Sequence, residues 1–185
     1  MNTRSIRKIV VLGANGAMGA SSGAVFAAAG IPTVFLARTL AKAEAGRARA
    51  ELLTRGTCGG AITCGTYVTD LAAALADADL VFEAVAEDAV TKRAVFTQIE
   101  ALRRPDAIVA TVSSGLSIAG LCAGMSESFQ HHFLGVHFFN PPTVIVGCEL
   151  IAHAGTDPAV RQVVHAFLSS TSGATCWART TRCAA

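Results

Sequence analysis

Short β-branched runs alternate along this chain with longer Ala-rich stretches whose apolar residues recur every three or four positions. Residues 8–12, 33–37, 62–64, 80–85, 107–112, 133–138 and 148–152 are predicted strands. Most are apolar on both alternations, as strands are when helices cover both faces of their sheet. Residues 17–29, 40–54, 71–75, 90–103, 117–122 and 159–169 are predicted helices. Asp157 and Pro158 mark the start of the last one, because the carboxylate accepts from first-turn amides and a proline there loses no needed donor. Regular strand–helix alternation predicts an α/β fold built on a mostly parallel sheet. Residues 1–170 are read as one domain. From residue 171 to 185 neither period continues, so this segment is expected to be an irregular tail.

Composition narrows the picture. With 52% hydrophobic and 15% charged residues, the 185-residue chain can bury a core of its own. A mean hydropathy of +0.49 raises the question of a membrane. Apolar runs such as residues 24–29 stop well short of the ~18 residues of a span, and residues 9–12 are too short for a signal-peptide core. A cytoplasmic protein without membrane partners is expected. The six Cys include no C-x-x-C pair and are read as reduced thiols. Charges netting +2 are scattered, which leaves no basic stripe for a nucleic acid.

The most informative turn follows the first strand. Gly13-Ala-Asn15-Gly16-Ala17-Met18-Gly19 places glycines where a strand turns into a helix, so that backbone amides and the helix N-terminus can approach a pyrophosphate. Its G-x-x-G-x-x-G spacing is one residue longer than the usual G-x-G-x-x-G. The bland alternative is a turn that needs close packing, but the position and flanks favour a dinucleotide and a Rossmann-type, doubly wound sheet. At the end of the second strand, where an acid commonly accepts from the adenosine ribose, stand Ala37 and Arg38. Arg38 suits a 2′-phosphate, so NADP is possible beside NAD.

Several chemistries are excluded. The only Tyr, Tyr67, has Leu71 four residues on, which rules out a Tyr-x-x-x-Lys dehydrogenase, and no G-x-S-x-G turn is present. The adjacent His131 and His132 are read as solvated loop residues rather than ligands, and no metal site is expected. His137, at the end of a strand, has Glu149 on the next one. Such a pair fixes the imidazole tautomer for acid–base work, although a buried, satisfied histidine is an equal reading of these two residues alone.

At this point the chain resembles the L-3-hydroxyacyl-CoA dehydrogenase family of fatty-acid β-oxidation. The resemblance rests on Gly16-Ala-Met18-Gly19, on Ala78-Asp-Leu-Val-Phe-Glu83-Ala84-Val-Ala-Glu87-Asp-Ala-Val-Thr-Lys92, on Ser113-Ser114-Gly-Leu-Ser-Ile, and on His137-Phe-Phe-Asn140-Pro with Glu149, across roughly residues 6 to 170. It implies that His137 takes the proton from the 3-hydroxyl of an acyl-CoA while hydride leaves C3, that Glu149 orients His137, and that Ser114 bonds the reacting oxygen. It also implies that Asn140 lies near the nicotinamide, that Glu87 and Lys92 meet the cofactor's ribose side, and that Gly13, Asn15, Gly16, Ala17, Met18, Gly19 and Ala84 line the cofactor. The bland reading of Glu87 and Lys92 is an exposed ion pair at a helix start. Val112 departs from the family's Asn, as do Ala37 and Arg38 from its cofactor-selecting acid.

The family continues past residue 170 with a strand, a Pro-Gly-Phe segment and a helical domain, all of which are expected to be missing. Twelve Arg against three Lys suggest a GC-rich gene. The tail is accordingly read as the product of a frameshift near residue 171 in a longer dehydrogenase, its apolar docking face left open to self-association. The rival readings are an authentic short protein, a non-catalytic NAD(P)-binding module or remnant, and a branched hydroxy-acid dehydrogenase. The last needs a catalytic Lys that Lys8, Lys42 and Lys92 do not supply.

Overall fold

Strands that are apolar on both alternations belong in the interior of a covered sheet, and that is where the apolar runs lie. The computed structural model describes residues 5–145, 147–172 and 175–180. Strands β1 (Ile9–Leu12), β2 (Thr33–Ala37), β3 (Ile62–Thr66), β4 (Leu80–Glu83), β5 (Ile108–Thr111), β6 (Phe133–Phe138), β7 (Gly147–Ala152) and β8 (Thr175–Thr180) form one sheet ordered β3-β2-β1-β4-β5-β6-β7-β8. β1 to β6 are parallel. β7 runs antiparallel to β6, and β8 runs with β7. The winding reverses between β1 and β4, the place where open α/β sheets receive ligands at the carboxyl ends of their strands.

The helices are α1 (Ala17–Ala28), α2 (Leu40–Leu53), α3 (Leu71–Ala76), α4 (Ala89–Leu102), α5 (Ile118–Cys122), α6 (Glu127–His131) and α7 (Pro158–Ser172). They bury two apolar layers, one around Phe26, Phe82 and Phe138 and the other around Phe96, Phe129 and Phe133. Phe26 meets Phe82 at 5.3 Å between ring centroids, and Phe96 meets Phe133 at 4.9 Å. Thr39, Asp88, Ser117 and Ser126 cap α2, α4, α5 and α6 with their side chains. Asp157 accepts from the Ala159 amide at 2.7 Å, as its place before Pro158 predicts. Among the described residues no helix is long and apolar enough to cross a membrane.

Two sequence expectations are corrected. His131 and His132 are not loop residues: His131 ends α6, a helix too short to show a period, and His132 follows as its cap. The tail is not irregular throughout. Thr171 and Ser172 extend α7, and β8 pairs residue for residue with β7 from Gly147↔Thr175 to Ala152↔Thr180. The strand expected to be missing after the last helix is therefore present. Its Thr, Cys and Trp residues suit a pleated surface, while its backbone pairing with β7 leaves no alternation to read in the sequence.

Candidate active site

The glycine loop is built by close backbone approach. Gly13 sits at φ +79°, and a Cβ there would lie 2.3 Å from the Ala84 carbonyl oxygen. Its amide donates to the Tyr67 hydroxyl at 2.7 Å, and its carbonyl accepts from the Gly16 amide at 2.9 Å. A Cβ on Gly19 would meet the Gly13 oxygen at 2.3 Å, so α1 rests directly on the loop. Gly16 caps α1 without any side-chain hydrogen bond, which leaves the helix N-terminus to the crevice. Asn15 and Ala17 are exposed there, with Gly16 and Met18 partly so. Arg38 is exposed just beyond β2, and Ala37 presents no acceptor.

Two contributors were not foreseen. Gly46, in the middle of α2, would place a Cβ 2.4 Å from the Ala14 oxygen, so α2 packs on the loop only because it lacks one. A glycine inside an Ala-rich helix costs about 1 kcal/mol against Ala and was the available signal. Tyr67 carried none, since only the sheet order brings the end of β3 beside the loop. Burial pushes its phenol above its ordinary pKa, against the pull of the Gly13 amide.

Beside the loop lies a buried charge network. Glu83 is fully buried at the end of β4 and accepts from Lys92 Nζ at 2.8 and 3.0 Å, from the Thr111 hydroxyl at 2.6 Å and from the Val85 amide at 2.7 Å. Lys92 is therefore fully buried, which overturns the reading of an exposed ion pair at a helix start. It sits in the first turn of α4 and points inward, with Glu87 3.4 Å from its ammonium. Glu87 accepts from the Ser113 hydroxyl at 2.6 Å and from the amides of Ser114 and Gly115 at 3.1 and 3.0 Å. Burial opposes its ionisation, but these donors and Lys92 outweigh that and hold the carboxyl below its ordinary value.

The held Ser113–Gly115 turn opens onto a cleft of about 340 Å³ lined by Met18, Val112, Ser114, His137, Phe138, Phe139, Asn140 and Ile145. Four residues singled out in the sequence, Met18, Ser114, His137 and Asn140, thus meet in one place. His137 and Glu149 are register partners across β6 and β7, with Nδ1 3.3 Å from the carboxylate. A second cleft, of about 320 Å³, is lined by residues such as Val25, Leu53 and Thr171 and holds no titratable side chain.

A sequence model described as 3-hydroxyacyl-CoA dehydrogenase, NAD binding domain, matches residues 8–176. The chain belongs to this family. The cofactor of these dehydrogenases is NAD, and the residues present fit it: an uncapped α1 N-terminus, a loop that no Cβ at Gly13 could enter, and the position between β1 and β4. The chain is 35% identical over 180 residues to a Deinococcus radiodurans protein named Probable 3-hydroxyacyl-CoA dehydrogenase, with 91% of this chain and 51% of that protein covered. It is 32% identical over 180 residues to a 3-hydroxybutyryl-CoA dehydrogenase of Mycobacterium tuberculosis, covering 91% of this chain and 62% of that one. Among solved structures it resembles M. tuberculosis FadB2, with a TM-score of 0.85 and 29% identity over 96% of this chain and 65% of that chain. It therefore spans between about half and two thirds of these relatives.

Proposed function

We propose that the chain forms the NAD-binding half of a dehydrogenase that moves hydride between nicotinamide and C3 of a 3-hydroxyacyl-CoA. The carrying observation is that His137, paired with Glu149 across β6 and β7, lines the cleft together with Ser114 and Asn140. Bound NAD supplies the hydride acceptor. His137 takes the hydroxyl proton, and Glu149 at Nδ1 keeps the opposite ring nitrogen in the form that can accept it. Ser114 donates to the reacting oxygen, on a turn that Glu87 holds by three hydrogen bonds. Asn140, which lines the same cleft, would help hold the nicotinamide. Arg38 offers a guanidinium to a 2′-phosphate, so NADP is accepted as a second cofactor. The chain works in the cytoplasm, and the apolar surface of Val144, Ile145 and Trp177 favours self-association.

The test is oxidation of NADH with acetoacetyl-CoA. Turnover is expected, and His137→Gln should lower kcat by roughly 10²–10⁴, the usual worth of a positioned base. A chain that binds NADH without turnover would favour the binding-module reading.

A further inference from the structure

Register between β1 and its neighbours β2 and β4 ends at Leu12, so the next amide, that of Gly13, lies beyond both ladders. Gly13 is buried, and a buried amide without an acceptor costs as much as a lost hydrogen bond. Its acceptor is the Tyr67 hydroxyl, 2.7 Å away and 54 residues further along the chain. Gly13 in turn governs the loop, since its carbonyl takes the Gly16 amide at 2.9 Å and α1 rests on it at Gly19.

Tyr67 is itself firmly held. Its amide donates to the Ala37 carbonyl at 3.1 Å, and its ring packs on the apolar layer that includes Leu12 and Leu36. The turn around it is pinned by Asp70, whose carboxylate accepts from the Thr66 amide at 2.7 Å and from the Thr69 hydroxyl at 2.6 Å. Gly65 makes room for that carboxylate, because a Cβ there would lie 2.8 Å from it. The hydroxyl is thus a fixed point delivered to the loop from the end of β3.

We infer that Tyr67 is a positioning residue for NAD: its hydroxyl fixes Gly13, and through Gly13 it sets the loop amides and the α1 N-terminus for the cofactor's diphosphate. This rests on reading the glycine loop as the NAD site. The G-x-x-G-x-x-G loop has one residue more than the usual spacing between its first two glycines, and so has more shapes open to it. An acceptor fixed on β3 removes those shapes before the cofactor arrives, and less ordering accompanies binding. Without the hydroxyl the binding-ready fraction falls, and the apparent Kd rises by the same factor.

NADH binding by the whole chain, followed by nicotinamide fluorescence, tests this together with amide hydrogen exchange and without turnover. Tyr67→Phe keeps the ring and removes only the hydroxyl. Its Kd for NADH should rise by roughly 5- to 50-fold, the scale of one hydrogen bond to a buried amide. Exchange should quicken within residues 13–19 and no farther, and saturating NADH should slow it again. A hydroxyl that served only the fold would instead lower the urea midpoint and quicken exchange throughout the sheet. An unchanged Kd in the folded Phe variant, or exchange that rises over the whole chain, would overturn the inference. If the Phe variant does not fold, the wild type decides. Tyr67 is the only Tyr, so a carbon label at Cζ gives a single NMR line, which should move as NADH binds; a line that stays in place would overturn the inference. Failure of the cofactor reading itself would show separately, as a wild-type chain that binds no NADH, and would take this inference with it.

Discussion

The Glu83–Lys92 contact has no access to water on either side, which makes it the least forgiving ion pair among the described residues. Glu83→Gln leaves an ammonium buried against a neutral amide, and Lys92→Met strands the carboxylate. Each should cost about 3–5 kcal/mol in urea unfolding, while the double variant should lose clearly less than the sum of the two, because neither charge remains unpaired. The Ser114 turn should loosen in both single variants through Glu87. Lys92 also shows what a sequence conceals at this scale. Its place in the first turn of α4 can be read from the chain, but the direction of its side chain depends on Glu83 at the end of a separate strand. His137 and Glu149 were legible because an antiparallel strand pair brings a His and a Glu twelve residues apart into register.

Between elements, the glycine loop depends on how closely α1 and α2 approach it. Gly46→Ala would put a Cβ 2.4 Å from the Ala14 oxygen and 3.3 Å from the Asn15 nitrogen, with no flexible side chain to give way. We expect a loss of about 1–3 kcal/mol from overpacking, together with weaker NADH binding measured by fluorescence. Gly60→Ala, with nothing within 4 Å, should change neither and serves as the control. The loop was readable because its turn and close contacts impose local demands on Gly13, Gly16 and Gly19. β8 was not readable, since its pairing with β7 is a long-range contact that leaves no period in residues 175–180. α6 was missed because five residues are too few to show one.

For the whole molecule, acid should act in two stages. Burial holds His153 below its ordinary value of about 6.5, against the opposing pull of the Gln130 carbonyl, and the Gly155 amide donates to Nδ1 at 3.1 Å. Between its folded value and 6.5 the unfolded chain binds a proton that the folded chain does not. Stability therefore rises with pH across that window and is lost as pH falls through it. Glu87, held below its ordinary value of about 4.5, has the same sign at lower pH: its contribution is present above 4.5 and is lost as pH falls through the depressed value. Urea midpoints should hold level from neutrality to about pH 8, drop below about pH 6.5, and drop again below about pH 4.5. His153→Gln should flatten only the first step. The lone indole carries a different kind of consequence. With one Trp in 185 residues, all tryptophan emission of the molecule originates from β8, where Trp177 is the register partner of Glu149. The protein thus carries its own optical probe at the edge of its candidate site. Its ultraviolet glow overlaps the band in which reduced nicotinamide absorbs, so energy transfer from Trp177 makes cofactor arrival visible without any attached label.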